Sequence, residues 1–380
     1  MLNAFSGKHI AWLLPGVIRG SGGHRTIIEK IKRLDQEGAI NSIYFYDIES
    51  SRRDEMSVTM AQHFGYHSPR IHAGNVGNIT ADIAIATLWD GVRLLTEINA
   101  QHKIHFIQDF EAYFNPMGDG FLMAELAYQA EVNQIVLGRW LSNMMTTNYD
   151  RKPFTCDFGV DTDRYSMTTP WAKRSKAVAF IYQPEKPRRA WRMGIEALGI
   201  LKHRNPDVEI FLYGSDHKPN LWFDTTHLGI IKPIELAQLY NSIKAGLCIS
   251  SSNPSRIPFE MMACGLPLVD LYLANNLYEY ADSSLLLAHT SPESIASALE
   301  HVLTEPKLGE YLSTRALHFT QGKSETFEHE TFMKAVEDII QNSKTDTALF
   351  PVTYKTKAHI APSMQQNPYI NAYCARQTTM

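Results

Sequence analysis

Short apolar runs alternate with amphipathic stretches along most of this chain, and the series runs twice. "KHIAWLL" at 8–14 reads as a strand. "HRTIIEKIKRLDQEG" follows as a helix, with Ile27, Ile31 and Leu34 on one face and Gly38 as its stop. "SIYFYDI", "ADIAIAT", "KIHFIQDF" and "QIVLG" read as further strands, with "FLMAELAYQAEVN" as a helix before the last. The periodicity lapses through "CDFGVDTDRYSMTTPWAKRSK" (156–176), a stretch long for a connection inside one compact domain. It then restarts with the strands "KAVAFIYQ", "VEIFLYGS", "GLCISS" and "LPLVDL" and the helices "RAWRMGIEALGILKHR", "ELAQLYNSIKA" and "IPFEMMACG". Two more helices are expected near 291–304 and 306–320.

Strands that alternate with helices imply parallel sheets covered on both faces. A chain of 380 residues also exceeds one ordinary core. The predicted fold class is therefore α/β, with two Rossmann-like domains facing across a cleft, at 1–160 and 166–324. The helix and tail at 325–380 are expected to return to the first domain. Past about residue 342 no period remains, and the tyrosines and isoleucines there favour an extension lying on the surface over a flexible tail.

A net charge of −4 gives no support to a nucleic-acid binder. Of Cys156, Cys248, Cys264 and Cys374, none forms a C-x-x-C pair; Cys248 and Cys264 sit in apolar runs and read as small buried hydrophobes, as suits a reducing compartment. The apolar run before Pro15 is too short for a signal peptide or a membrane span. A cytoplasmic location is expected, with a peripheral membrane contact left open.

Three segments carry the chemistry. The first strand-to-helix turn, "LLPGVIRGSGGHRT", holds four glycines. Glycine lets backbone approach a phosphate, and a helix start offers free N–H groups. The dinucleotide fingerprint fails, however, because Arg25 stands where its third glycine belongs. In the second segment, "YQPEKPRRAWRMG", Lys186, Arg188, Arg189 and Arg192 crowd one helix start, where cations oppose the macrodipole. An anion that takes up this charge would explain the placement. In the third, "NPSRIPFEMMACGLPLVDL", Glu260 falls early in a helix at a strand's carboxyl end. It suits vicinal ribose hydroxyls and, equally, the helix dipole. Asp109 and Glu111 follow the strand "KIHFIQDF", where a base for an acceptor hydroxyl belongs; one of them equally suits a turn cap. Asp109 is the first candidate, Glu111 the second and His24 the third. The D-x-D at Asp161–Asp163 lies in the interdomain crossover and is not taken as a metal site; no metal is expected. His102 and His105 flank a strand and read as structural.

Taken together, "GSGGHRT", "QDFEAYFNPMGDGFLMAELAY", "FGVDTDRY", "YQPEKPRRAWRMGIEAL" and "PSRIPFEMMACGLPLVD" resemble the GT-B glycosyltransferases of family 4, over about residues 8–340. They look most like the rhamnosyltransferase branch that builds bacterial surface polysaccharides such as O-antigen. The resemblance implies a GT-B fold, with the acceptor on the first domain and a nucleotide-sugar donor on the second. It implies that Glu260 binds the ribose, that Arg188 and Arg189 bind the diphosphate with Lys186 beside them, and that Gly22 and Gly23 close over it. Gln183, Tyr213, Ser252, Ser255 and Ile257 complete the expected donor-binding set. Two positions depart from the pattern. Ser252 stands where the wider family has a second glutamate, and Gln183 where the branch tends to have arginine. The implied reaction is retaining transfer of L-rhamnose from dTDP-rhamnose to a glycan acceptor, free or lipid-carrier-linked, with no cofactor beyond the donor. The alternatives are a UDP- or GDP-sugar donor, an NAD-dependent oxidoreductase of two Rossmann domains, and a non-catalytic sugar-binding protein.

Overall fold

The computed structural model describes residues 4–345 and 348–378; the remaining ends of the expected domain 1–160 and tail 325–380 lie outside the described residues. The chain divides into two compact units. One is Met1–Asp157 with Glu328–Leu349; the other is Phe158–Phe327 with Phe350–Met380.

The first unit holds β1 (His9–Leu14), β2 (Ile40–Phe45), β3 (Ile71–Ala73), β4 (Thr80–Ala86), β5 (Asn99–Ile107), β6 (Asn133–Leu137) and β7 (Phe154–Cys156). They pair in parallel in the order β3-β2-β1-β4-β5-β6-β7. The second holds β8 (Ser175–Ile181), β9 (Glu209–Tyr213), β10 (Thr226–His227), β11 (Ile243–Leu247), β12 (Leu268–Leu271) and β13 (Leu286–Ala288), ordered β10-β9-β8-β11-β12-β13. Both sheets are doubly wound. Their strand order reverses between β1 and β4 and between β8 and β11, and such switch points are where α/β sheets bind ligands, beyond the strands' carboxyl ends.

Burial on both faces explains the unbroken apolar runs. Every residue of β1 after His9 is buried, and the one polar atom of Trp12 is satisfied by donation from Nε1 to Asn41 Oδ1 at 2.8 Å. In the second unit Phe180, Leu198, Leu212, Leu247, Val269 and Leu299 share one core. The helix Trp191–Arg204 crosses that core at Gly194, where a Cβ would overlap the Phe180 ring. We expect Gly194→Ala to cost about 1–3 kcal/mol through overpacking. Urea unfolding measures it, and an unchanged midpoint would show that the helix has room to move.

The expectation that 325–380 return to the first unit is corrected for 350–380. Residues from Glu328 do join the first unit, where Phe332 lies against Trp12 and Phe106. Lys30 and Glu328 meet there at 2.7 Å with both side chains fully enclosed. The described residues 350–378 pack instead on the second unit. They cover the open edge of β13: His359 N donates to Leu287 O at 2.8 Å, and the buried Tyr354 donates to Leu285 O, just before that strand, at 3.2 Å. The tail also contains a helix, Pro368–Gln377, that its scattered aromatics did not announce. Among the described residues no helix is long and apolar enough to cross a membrane.

Candidate functional site

At the switch point of the second unit, the chain leaving β8 runs through Gln183 and Lys186 into a short turn, Pro187–Arg189. Gln183 is buried and donates from Nε2 to Gly214 O at 3.4 Å. Ala190 then adopts left-handed backbone (φ 41°, ψ 44°), which lets the helix Trp191–Arg204 begin at once. For a residue with a Cβ that conformation costs about 1–2 kcal/mol. The turn is strained, and the residue it delivers is Arg189. Arg189 is 7% exposed, and among the described residues neither its Nε nor its Nη1 has a hydrogen-bond partner. Buried polar groups are almost always satisfied, and a charged one left unmatched is costly. Beside it, burial, followed by the charges of Arg189 and Arg188, pushes the Lys186 ammonium down to about 8. The sequence therefore concentrates cations where their own field opposes them, an arrangement suited to receiving an anion.

The chain leaving β11 enters the serine-rich segment 248–255 and then the helix Arg256–Ala263. Ser251 donates to Arg188 O twice, from N at 3.3 Å and from Oγ at 2.7 Å, so the two segments form one structure. Ser252 is buried, whereas Ser255 and Ile257 are half-buried at the helix start. Glu260 is 6% exposed, and its charge acts on Tyr213 and Tyr240. Tyr213 is enclosed with its hydroxyl 2.7 Å from that of Tyr240, and burial raises its pKa well above the usual phenol value; its polar end is committed to the core. Sequence reasoning missed Asp270, a fully buried carboxylate at the end of β12. It accepts from Ser250 N at 2.8 Å and Leu271 N at 2.7 Å, and burial, partly offset by those amides, pushes it up to about 7. An acid inside the apolar run "LPLVDL" was the available signal.

In the first unit, the glycine turn ends in the helix Gly22–Gln36, capped by Ser21, which accepts from His24 N at 3.4 Å. Gly22 and Gly23 are exposed and His24 is buried. A Cβ on Gly23 would lie 3.7 Å from Gln108 Nε2, so the turn lies against the carboxyl end of β5, close to a glutamine the sequence did not single out. Asp109 and Glu111 diverge there. Asp109 is 8% exposed and accepts from Phe110 N at 2.8 Å. Glu111 is enclosed; its Oε2 accepts from Trp89 N at 2.6 Å and stands 3.8 Å from His105 Nε2, while burial raises its pKa. Glu111 thus fastens two loops together. Elsewhere Asp161 is engaged with Arg164, and among the described residues no three His, Cys, Asp or Glu side chains gather as a metal-binding group.

Residues 176–300 match the family model described as WsaF, C-terminal domain. The O-antigen biosynthesis protein RfbC of Myxococcus xanthus is 26% identical over 262 residues, which are 67% of this chain and 20% of that protein. This chain thus spans about a fifth of that relative's length. Among solved structures, Anabaena HepE in complex with UDP-glucose aligns with a TM-score of 0.62 at 14% identity, over 87% of this chain and 99% of that one. S. aureus TarM, in a complex that includes UDP, aligns with a TM-score of 0.67 at 11% identity, over 86% of this chain and 99% of the other. These likenesses, with the two doubly wound sheets, show that the chain has the GT-B fold and that its second unit is similar to the C-terminal domain of WsaF.

Proposed function

We propose that the protein is a glycosyltransferase that moves a sugar from a nucleoside diphosphate onto a growing glycan in bacterial surface polysaccharide synthesis. The observation that carries this reading is Arg189, a buried cation with unmatched donors at a sheet switch point. Breaking the sugar–diphosphate bond develops charge on the leaving phosphate, and preorganised donors stabilise it. Arg189 and Arg188, with Lys186, supply that charge without a metal, and a guanidinium grips two phosphate oxygens at once. Glu260 holds the pentose of the nucleotide, through the 3′-hydroxyl alone where the nucleotide is a deoxynucleotide. Asp109 is assigned the acceptor hydroxyl, with His24 next. Glu111 acts by holding the Trp89 loop.

The donor is dTDP-L-rhamnose, and transfer proceeds with retention; the motif resemblance supports both points. The acceptor is a glycan on a lipid carrier at the cytoplasmic face of the membrane. Similarity to an O-antigen biosynthesis protein supports the pathway class. A UDP-sugar is the second reading, favoured by the UDP and UDP-glucose in the complexes of similar fold. A thermal-shift panel of dTDP, UDP, GDP and their sugars separates the two, since a ligand at 100 times its Kd stabilises by about 2.7 kcal/mol. Release of the nucleoside diphosphate from the matching sugar nucleotide, abolished in Arg189→Ala, supports the reading. A panel without any shift contradicts it.

Lys186 supplies an independent check. In the free protein its depressed pKa means that the unfolded state binds more protons between about pH 8 and the ordinary lysine value of 10.5, so stability contributed by this group rises with pH across that window. A bound diphosphate reverses the local field and raises the Lys186 pKa. Binding should therefore take up a proton at pH 8–9, and affinity should fall as pH rises through that range. Calorimetry in two buffers of different ionisation enthalpy measures the uptake; no uptake would place Lys186 away from the anion.

A further inference from the structure

The cationic turn is held in place by a buried amide that none of the motifs includes. Asn275 sits in the helix Ala274–Glu279, just after β12, and is 3% exposed. Its Nδ2 donates to Ser250 O at 2.9 Å, to Ser252 O and to Asn276 Oδ1 at 3.0 Å. Asn276 is fully buried and secures the same corner by donating to Leu271 O at 2.8 Å. Asp270 takes the Ser250 amide from the opposite side. The backbone on both sides of Ser251 is thus pinned to the core, and Ser251 is the residue whose N and Oγ grip the carbonyl of Arg188. The path runs from Asn275 through Ser250 and Ser252 to Ser251, then to Arg188 and its neighbour Arg189.

We propose that Asn275 is a positioning residue for the anion site: by clasping the carbonyls of Ser250 and Ser252 it fixes Ser251, and through Ser251 it sets the Arg188–Arg189 turn where a diphosphate group is received. The proposal deepens the function inferred above and rests on it for the identity of the anion. Its physical basis is that one side-chain amide serving two backbone carbonyls two residues apart allows only a narrow range of loop geometries. Misplacing oriented groups by about 1 Å is enough to lose most of their effect.

The test uses the full chain and inorganic pyrophosphate as probe, by calorimetry, on Asn275→Ala, Ser251→Ala and the double variant, with melting temperature recorded for each. Asn275→Ser keeps one donor and serves as the variant that retains the corner if alanine unfolds it. We expect pyrophosphate affinity to fall about 10-fold in Asn275→Ala, less in Asn275→Ser, and about equally in Ser251→Ala. The double variant should be no worse than the poorer single variant, because both residues act on one path. Unchanged affinity in Asn275→Ala, or losses that multiply in the double variant, overturns the proposal. Wild type that binds pyrophosphate with the expected variant pattern, yet turns over no sugar nucleotide, leaves the positioning role standing and removes the glycosyltransferase reading. Wild type that binds no pyrophosphate removes both.

Discussion

Arg189→Met should lower turnover of the sugar nucleotide roughly 10²- to 10³-fold, the usual loss for one preorganised donor at a developing oxyanion, while the ligand-free protein melts at the same temperature or higher. The two halves of this result have one cause. Arg189 is buried, and among the described residues its Nε and Nη1 have no hydrogen-bond partner, so the folded state bears a desolvation penalty without those compensating bonds. Methionine fills similar space and carries no charge. The nearby acid is not stranded by the change. Burial already raises Asp270 to about 7, the charge of Arg189 is among the influences that oppose that rise, and without it Asp270 protonates more readily. Thermal melts with and without nucleoside diphosphate, beside a turnover assay, check both halves. An arginine that serves only the fold would show the reverse pattern, a lower melting temperature and a ligand response that persists.

Lys30→Met should destabilise the first unit by about 3–5 kcal/mol, the range for removing one partner of a buried ion pair. Lys30 Nζ lies 2.7 Å from Glu328 Oε1 and 3.2 Å from His329 Nδ1, and it stands over the Phe332 ring at 5.6 Å. Losing the ammonium leaves the Glu328 carboxylate enclosed with its charge no longer balanced by Lys30. Because the pair joins the first helix to the helix Glu325–Ile340, the damage should centre on the docking of the latter. Glu328→Leu on top of Lys30→Met should recover much of the loss, since the buried charge then disappears. Urea unfolding of both singles and the double gives the coupling. A loss below about 1 kcal/mol in Lys30→Met would mean that water reaches the pair.

Much of this architecture was legible in the residues, and for one reason. Long central strands buried on both faces need continuous apolar runs; β1, β4 and β8 carry them, and β5 carries one in its second half. The glycine turn and the helix closed by Gly265 were readable because positive φ and helix starts restrict residue choice. The edge strands β3, β7 and β10 were not, since two or three residues hold no period. The arginine cluster was visible as charge, but its burial came from the fold. The differing fates of Asp109 and Glu111 also depended on tertiary partners: Trp89 and Tyr128, which lie far from them in sequence, enclose one loop and organise its amides. Asn275 looked like any polar residue after a strand, because its two carbonyl partners lie more than twenty residues away.

A crystal structure of the protein with the nucleoside diphosphate that gives the largest thermal shift would locate the anion relative to Arg189. Diphosphate oxygens should lie within about 3 Å of Arg189 Nε or Nη1, with a hydroxyl of the nucleotide's pentose on Glu260. A nucleotide bound away from the carboxyl ends of β8 and β11, with the Arg189 donors still unmatched, would contradict it.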